Sequence, residues 1–219
     1  MDALDATTRS ASTAGGQVLR AATGLIAARP AAKPLHPRGA VVGGTLRRTG
    51  TEPRVGAAWL DRAGEDRVLA RQSRSLGLPA PLPDVFGLAV RVPTDDGGHG
   101  DLLFASTGLG RLNRFVLVPT RSPYGRPMTT LLPYRTPAGA VLLSAVFRDT
   151  RTLALAWARG SGAWHPFGEL VLDEAPVEQG DLRLSFDPVQ NRLPGLETYD
   201  WVRRLREPSY LTARRSRRT

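Results

Sequence analysis

The chain has 219 residues, enough for one domain that buries about 70% of its unfolded surface. Hydrophobic content of 41% and charged content of 23% are those of a globular chain, and no apolar run approaches the roughly 20 residues of a bilayer-spanning helix. The absence of cysteine excludes disulfides, thiolate metal sites and a cysteine nucleophile. A net charge of +10 and a pI near 11.2 invite a nucleic-acid reading. That reading is discounted because only one of the 30 basic residues, Lys33, is lysine, an Arg/Ala/Gly/Pro bias typical of a GC-rich coding sequence. Asp2 and Asp5 at the start, with no basic segment before an apolar one, give no secretory signal, so a cytoplasmic location is expected.

In chain order, residues 1–16 are small and polar. Val18, Leu19, Ala22, Leu25 and Ile26 stand at helical spacing in 17–29, predicting a short amphipathic helix ended by Pro30 and Pro34. A strand is expected over 40–48, with Gly43 and Gly44 as a bend or close-approach point, then a loop over 50–66. Further strands are expected at 67–74, 87–92, 101–106 and 114–119. After a turn at 122–127, strands follow in the runs TLLPYR, AVLLSAVFRD, LALAWAR and GELVLDE, and the last at 181–186. Helix returns near Tyr199, in a strongly basic tail. Apolar runs of this length between Pro/Gly/Asp turns read as mainly β (α+β), an antiparallel barrel or sandwich with terminal helices; the barrel is what the resemblance given below implies. The expected divisions are 1–29 (tail and helix), 30–190 (barrel) and 191–219 (basic C-terminal helix).

The chemistry-bearing residues fall in two blocks. The first runs His36-x-x-Gly39, Arg71-x-Ser73, Asp84-x-x-Gly87-x-Ala89-Val90, Asp101-Leu102. The order resembles the first half of the barrel of haem catalases. The resemblance implies haem b as cofactor and a small hydroperoxide as substrate. It makes His36 the distal residue that moves a proton between the peroxide oxygens, a task suited to an imidazole that titrates near neutral pH. Ser73 matches the serine that orients this histidine, and Arg71 an arginine that pairs with a haem propionate. Lys33 stands where the family has a second propionate-binding arginine, keeping the charge but not the bidentate fork. Where the family carries a distal asparagine in Gly-Asn-Asn-Thr, this chain has Phe104-Ala105-Ser106-Thr107. That departure points toward peroxidase-like chemistry rather than disproportionation of hydrogen peroxide.

The second block is Phe186-Asp187-Pro188, Pro194-Gly195-Leu196-Glu197, Asp200, then Arg206-x-x-Ser209-Tyr210. It resembles the catalase segment that supplies the proximal ligand. By that resemblance Tyr210 is the axial ligand of the haem iron, and Arg206, one helical turn earlier, stabilises its phenolate. Arg217 matches a further propionate-side arginine. No family motif is visible between Thr107 and Leu182. Outside the resemblance, His99 reads as a loop residue, and His165 as a residue placed to cap a pocket but with no partner in the sequence. No His/Asp/Glu group shows metal-ligand spacing, no serine sits in Gly-x-Ser-x-Gly, and Gly108-Leu-Gly110 precedes no βαβ unit. Two other readings stand beside the haem-dependent oxidoreductase. One is a haem-free barrel that binds an apolar ligand or serves as an interaction module. The other is a nucleic-acid or membrane-surface binder working through its basic tail, ranked last because no aromatic stacking platform accompanies the arginines. A homo-oligomer is an expectation of the resemblance alone.

Overall fold

The computed structural model describes residues 38–176 and 184–204. Its strands, in chain order, are β1 (Arg38–Thr49), β2 (Ala63–Arg74), β3 (Phe86–Pro93), β4 (His99–Ser106), β5 (Pro127–Thr129), β6 (Tyr134–Thr136), β7 (Gly139–Phe147), β8 (Thr152–Arg159), β9 (His165–Pro176) and β10 (Glu197–Thr198). One short helix, α1 (Ala58–Asp61), precedes β2, and a helix begins at residue 200. The strands form a single antiparallel sheet in the order β10-β6-β7-β5-β4-β3-β2-β1-β9-β8, and the added pairing of β7 with β8 closes it. The closed ring is β1-β2-β3-β4-β5-β7-β8-β9. β6 extends β5 along the same edge of β7, and β10 adds to β6 outside the ring.

Alternation along each strand divides inside from outside. Val42, Ala70, Val90 and Leu102 lie in one register row across four strands and are all buried. The far side of the ring contributes Leu143, Leu155, Trp157 and Leu170, each at most 3% exposed. These side chains belong to one continuous core, so the barrel is filled by its own residues rather than hollow. That packing argues against an apolar ligand inside the barrel. Val55, Ala57 and Leu60 of the 50–62 segment are fully buried and close one mouth. Gly43 and Gly44 sit at a register shift between β1 and β9, and a side chain at Gly44 would meet the Val171 carbonyl at 2.8 Å, as the close-approach reading expects.

Most expected strands are present, with three differences. Residues 114–119 are not a strand. The apolar run follows a 3-10 turn (Asn113–Phe115) and meets the sheet through single bonds, Val118 N–H to the Ser106 carbonyl and the Thr129 hydroxyl to the Arg114 carbonyl, with Thr120 paired to Asp84 just beyond it. The TLLPYR run is broken between β5 and β6, where Leu131 takes a φ of 60° and Leu132 N–H turns back to the Thr130 carbonyl. The expected last strand is irregular over 184–186: the Ser185 carbonyl accepts from Arg91 of β3, and the N–H of Asp187, just beyond, donates to Asp101 of β4 instead of joining a ladder. The 50–66 loop also gives way to α1 and to a β2 that starts at Ala63. The helix expected at 17–29 lies outside the described residues.

Candidate functional site

Of the residues singled out in the sequence, Arg71 and Ser73 fall within the described structure. Lys33, His36, Arg206, Tyr210 and Arg217 lie outside it. Arg71 and Ser73 alternate with the inward Ala70 and Gln72, so both point away from the barrel core on the outer wall of β2. Antiparallel register extends that wall sideways. One row reads Gly39, Ser73, Gly87, Ala105, Thr129 across β1, β2, β3, β4 and β5. The next reads Val41, Arg71, Ala89, Leu103 across β1 to β4. From Gly39 to Ala105 the first row carries no side chain larger than serine, which makes a flat floor ending at Thr129, whose hydroxyl is covered by the Arg114 carbonyl; the second row places one cation beside it.

This wall is not an ordinary solvent face. Arg71 is 7% exposed and Ser73 8%. Gly39 makes room for the arginine: a Cβ there would stand 2.7 Å from the Arg71 guanidinium and from the Gln72 carbonyl. The Gly of the His-x-x-Gly motif and the Arg of the Arg-x-Ser motif are thus one steric unit.

The two aspartates of the first block turn out to be structural hubs. Asp84, 1% exposed, accepts hydrogen bonds from Leu76 N–H (3.0 Å) and Leu78 N–H (3.1 Å), faces the Arg74 guanidinium at 3.6 Å, and pairs its backbone with Thr120. Asp101 takes a two-pronged ion pair from Arg91 (2.8 and 2.9 Å), the backbone N–H of Asp187 (2.8 Å) and the Asn191 side-chain amide (2.7 Å). The Arg91 guanidinium also lies 4.9 Å over the Phe186 ring. Arg91 and Asp101 occupy the next outward row after Arg71, so the segment that leads to the C-terminal helix is clamped onto the same wall as the floor. The two sequence blocks are joined at Asp101 and Asp187. Arg91 itself was not singled out in the sequence. Pairing β3 with β4 about the Thr94–Gly98 turn sets it opposite Asp101, which was the signal available.

Ala105 is the outward residue of the Phe104-Ala105-Ser106-Thr107 run. Ser106 points inward; its hydroxyl donates to the Val118 carbonyl (2.7 Å) and accepts from Phe86 N–H (3.1 Å). Thr107 donates to the Gly108 carbonyl and bonds the Thr129 hydroxyl. At Ala105 the wall therefore offers a methyl group, and the Ser106 and Thr107 hydroxyls are engaged in the bonds just given.

His99 stands in a strand rather than in a loop, whereas His165 lines a pocket with residues of the 49–54 segment and Asp61, as a pocket-capping residue would. His99 is the first residue of β4, beside a cleft of about 520 Å³ between the Thr94–Gly98 turn and residues 190–197. His165 opens β9 and stacks on the buried Trp157, ring centroids 4.9 Å apart. Among the described residues no group of three His, Asp or Glu side chains is arranged to hold a metal ion, and no helix is long and apolar enough to cross a membrane.

No protein-family profile and no curated protein matches the chain. Its fold is similar to the crystal structure of a fungal catalase, with a TM-score of 0.59 at 12% sequence identity. The match covers 84% of this chain and 58% of that one, so the chain spans little more than half the length of the catalase it resembles. The fold is a catalase-like β-barrel.

Proposed function

We propose that the chain is a catalase-like haem-binding protein that reduces a hydroperoxide in a peroxidase-like reaction. The observation that carries this reading is the outer wall of β1–β5. A floor of Gly39, Ser73, Gly87 and Ala105 lies next to a buried Arg71, on a barrel whose fold is catalase-like. These residues fit haem, a flat ring with anionic edges: small side chains let a ring approach the strands, and a guanidinium matches a carboxylate edge.

Haem, when bound, supplies the redox chemistry that accepts two electrons' worth of oxidation from the hydroperoxide and passes it to an external reductant. Under this reading Arg71, Lys33 and Arg217 would hold the propionates, and Tyr210 would ligate the haem iron with Arg206 stabilising its phenolate. His36 takes the proton from one peroxide oxygen and returns it to the leaving one, yielding an alcohol or water. Ser73 keeps the imidazole oriented. The methyl of Ala105 leaves the peroxide without an amide donor, which favours reduction by an outside donor over disproportionation.

Haem titration into Arg71→Leu is expected to saturate about ten-fold less tightly, as loss of one charge-assisted contact implies, and Arg71→Lys to recover part of the loss. Ser73→Ala should load haem normally and shift the pH profile of peroxide reduction. Wild-type haem affinity in a folded Arg71→Leu protein would contradict the assignment.

A further inference from the structure

The connection from β4 to β5 carries an unusual surface. The large hydrophobic side chains that stand exposed among the described residues are Leu82, Leu112, Phe115, Val116, Leu117 and Tyr124, and all but Leu82 come from residues 112–124. Leu112 is 79% exposed and Val116 56%. The segment is not loose. Arg114 turns inward, 2% exposed, and donates to the carbonyls of Gly110 (2.9 Å), Gly160 (3.0 Å) and Leu109 (3.0 Å) while lying 4.5 Å over the Trp164 ring. The 3-10 turn bonds Phe115 N–H to the Leu112 carbonyl and Val116 N–H to the Asn113 carbonyl, and Val118 N–H bonds Ser106. The fold thus holds a row of aliphatic and aromatic side chains outward on a backbone whose own polar groups are largely satisfied.

The charge around this row has one sign. No aspartate or glutamate occurs between Asp101 and Asp149, an interval with six arginines. Arg111, Arg121 and Arg126 are exposed and make no ion pair among the described residues. By contrast, Arg47, Arg67, Arg135 and Arg151 on other parts of the surface each face a carboxylate. A second copy placed face to face would set these arginines against one another. Nucleic acid would use the arginines and could stack on Phe115 or Tyr124, but it leaves Leu112, Val116 and Leu117, three of the five exposed apolar side chains and including the most exposed, without a partner. An anionic bilayer uses both features at once: apolar side chains enter the boundary of the acyl region, and arginines meet the phosphates.

We propose that residues 111–126 form a docking surface for anionic phospholipid membranes. Leu112, Phe115, Val116 and Leu117 insert, and Arg111, Arg121 and Arg126 lie at the headgroups. This is independent of haem and distinct from the Arg-rich C-terminus.

The chain has no cysteine, so Leu117→Cys in the full-length protein gives a single site for an environment-sensitive fluorophore. Mixed with phosphatidylcholine vesicles containing phosphatidylserine, the label should brighten, shift to the blue and be quenched by nitroxide-bearing lipid. Pure phosphatidylcholine should do much less. In co-sedimentation, Arg121→Gln/Arg126→Gln should lose about five-fold in affinity per arginine, and Leu112→Ser/Leu117→Ser at least as much as one arginine, with melting temperatures unchanged. The proposal is overturned if the protein fails to sediment with anionic vesicles, or if it sediments while the label at residue 117 stays in water, which would assign the binding to another surface. It is equally overturned if Leu112→Ser/Leu117→Ser instead dissolves a wild-type dimer, or if the arginine pair proves necessary for DNA binding but not for vesicles.

Discussion

Gly39, Arg91 and Ala105 each set one property of the outer wall. At Gly39 a methyl group would meet the Gln72 carbonyl, which is backbone and cannot swing aside, as well as the Arg71 guanidinium. Gly39→Ala is expected to cost about 1–3 kcal/mol in denaturant unfolding, the range for forcing atoms into a filled space. Arg91→Met leaves the Asp101 carboxylate, whose side chain has no exposure, without its counter-ion. The expected loss is about 3–5 kcal/mol, with faster hydrogen exchange at the Asp187 amide that shares the carboxylate. Ala105→Asn restores an amide on the floor and should raise oxygen evolution from hydrogen peroxide relative to peroxidase turnover in haem-loaded protein. At this scale the sequence showed which residues stand in spaced motifs, but not that Asp84 and Asp101 would be spent on structure. Besides Arg74, Arg91 and Asn191, their partners include the backbone N–H groups of Leu76, Leu78 and Asp187, which have no signature in residue type and come near only when the chain is folded.

At the scale of elements, apolar runs bounded by Pro, Gly and Asp located the strands well, because a run buried on one or both faces must be Val- and Leu-rich wherever it pairs. The run RFVLVP at 114–119 has the same composition but forms no ladder: its backbone is used in a 3-10 turn and in single bonds to Ser106 and Thr129. Propensity reports what a segment can do, and the folded surroundings decide. The turns have their own chemistry. Asp61 closes the 50–62 segment by accepting from the Thr51 hydroxyl, Val55 N–H (2.8 Å) and Gly56 N–H (2.7 Å). Burial alone would raise its pKa, but these bonds and nearby Arg54 outweigh it and hold the carboxyl below its ordinary value of 3.8. A depressed carboxylate stabilises the fold above the unfolded-state value, and that contribution disappears as pH falls through the folded one. Melting temperature followed downward from about pH 6 should therefore drop in acid. Asp61→Asn should be less stable at neutral pH and lose part of that acid slope.

For the whole molecule, eight strands close into a barrel that its own side chains fill, which moves any ligand chemistry to the outside. The mainly β class was legible from periodicity, and the motif order carried the catalase-like barrel. Closure through β7 and β8 was not legible, because it joins segments whose alternation is the same whether the sheet is open or closed. Nor was the clamp of residues 184–191 onto β3 and β4, which pairs positions 86 and 90 residues apart in sequence. The central claim is that this outer wall receives haem between His36 and Tyr210. It is tested most directly by the absorption spectrum of purified protein titrated with haem, beside the same titration of Tyr210→Phe. The account predicts a Soret band with charge-transfer features of a phenolate-bound ferric iron in the wild type, and loss of those features in the variant. Free-haem spectra in both would contradict it, leaving a catalase-like barrel without the catalase cofactor.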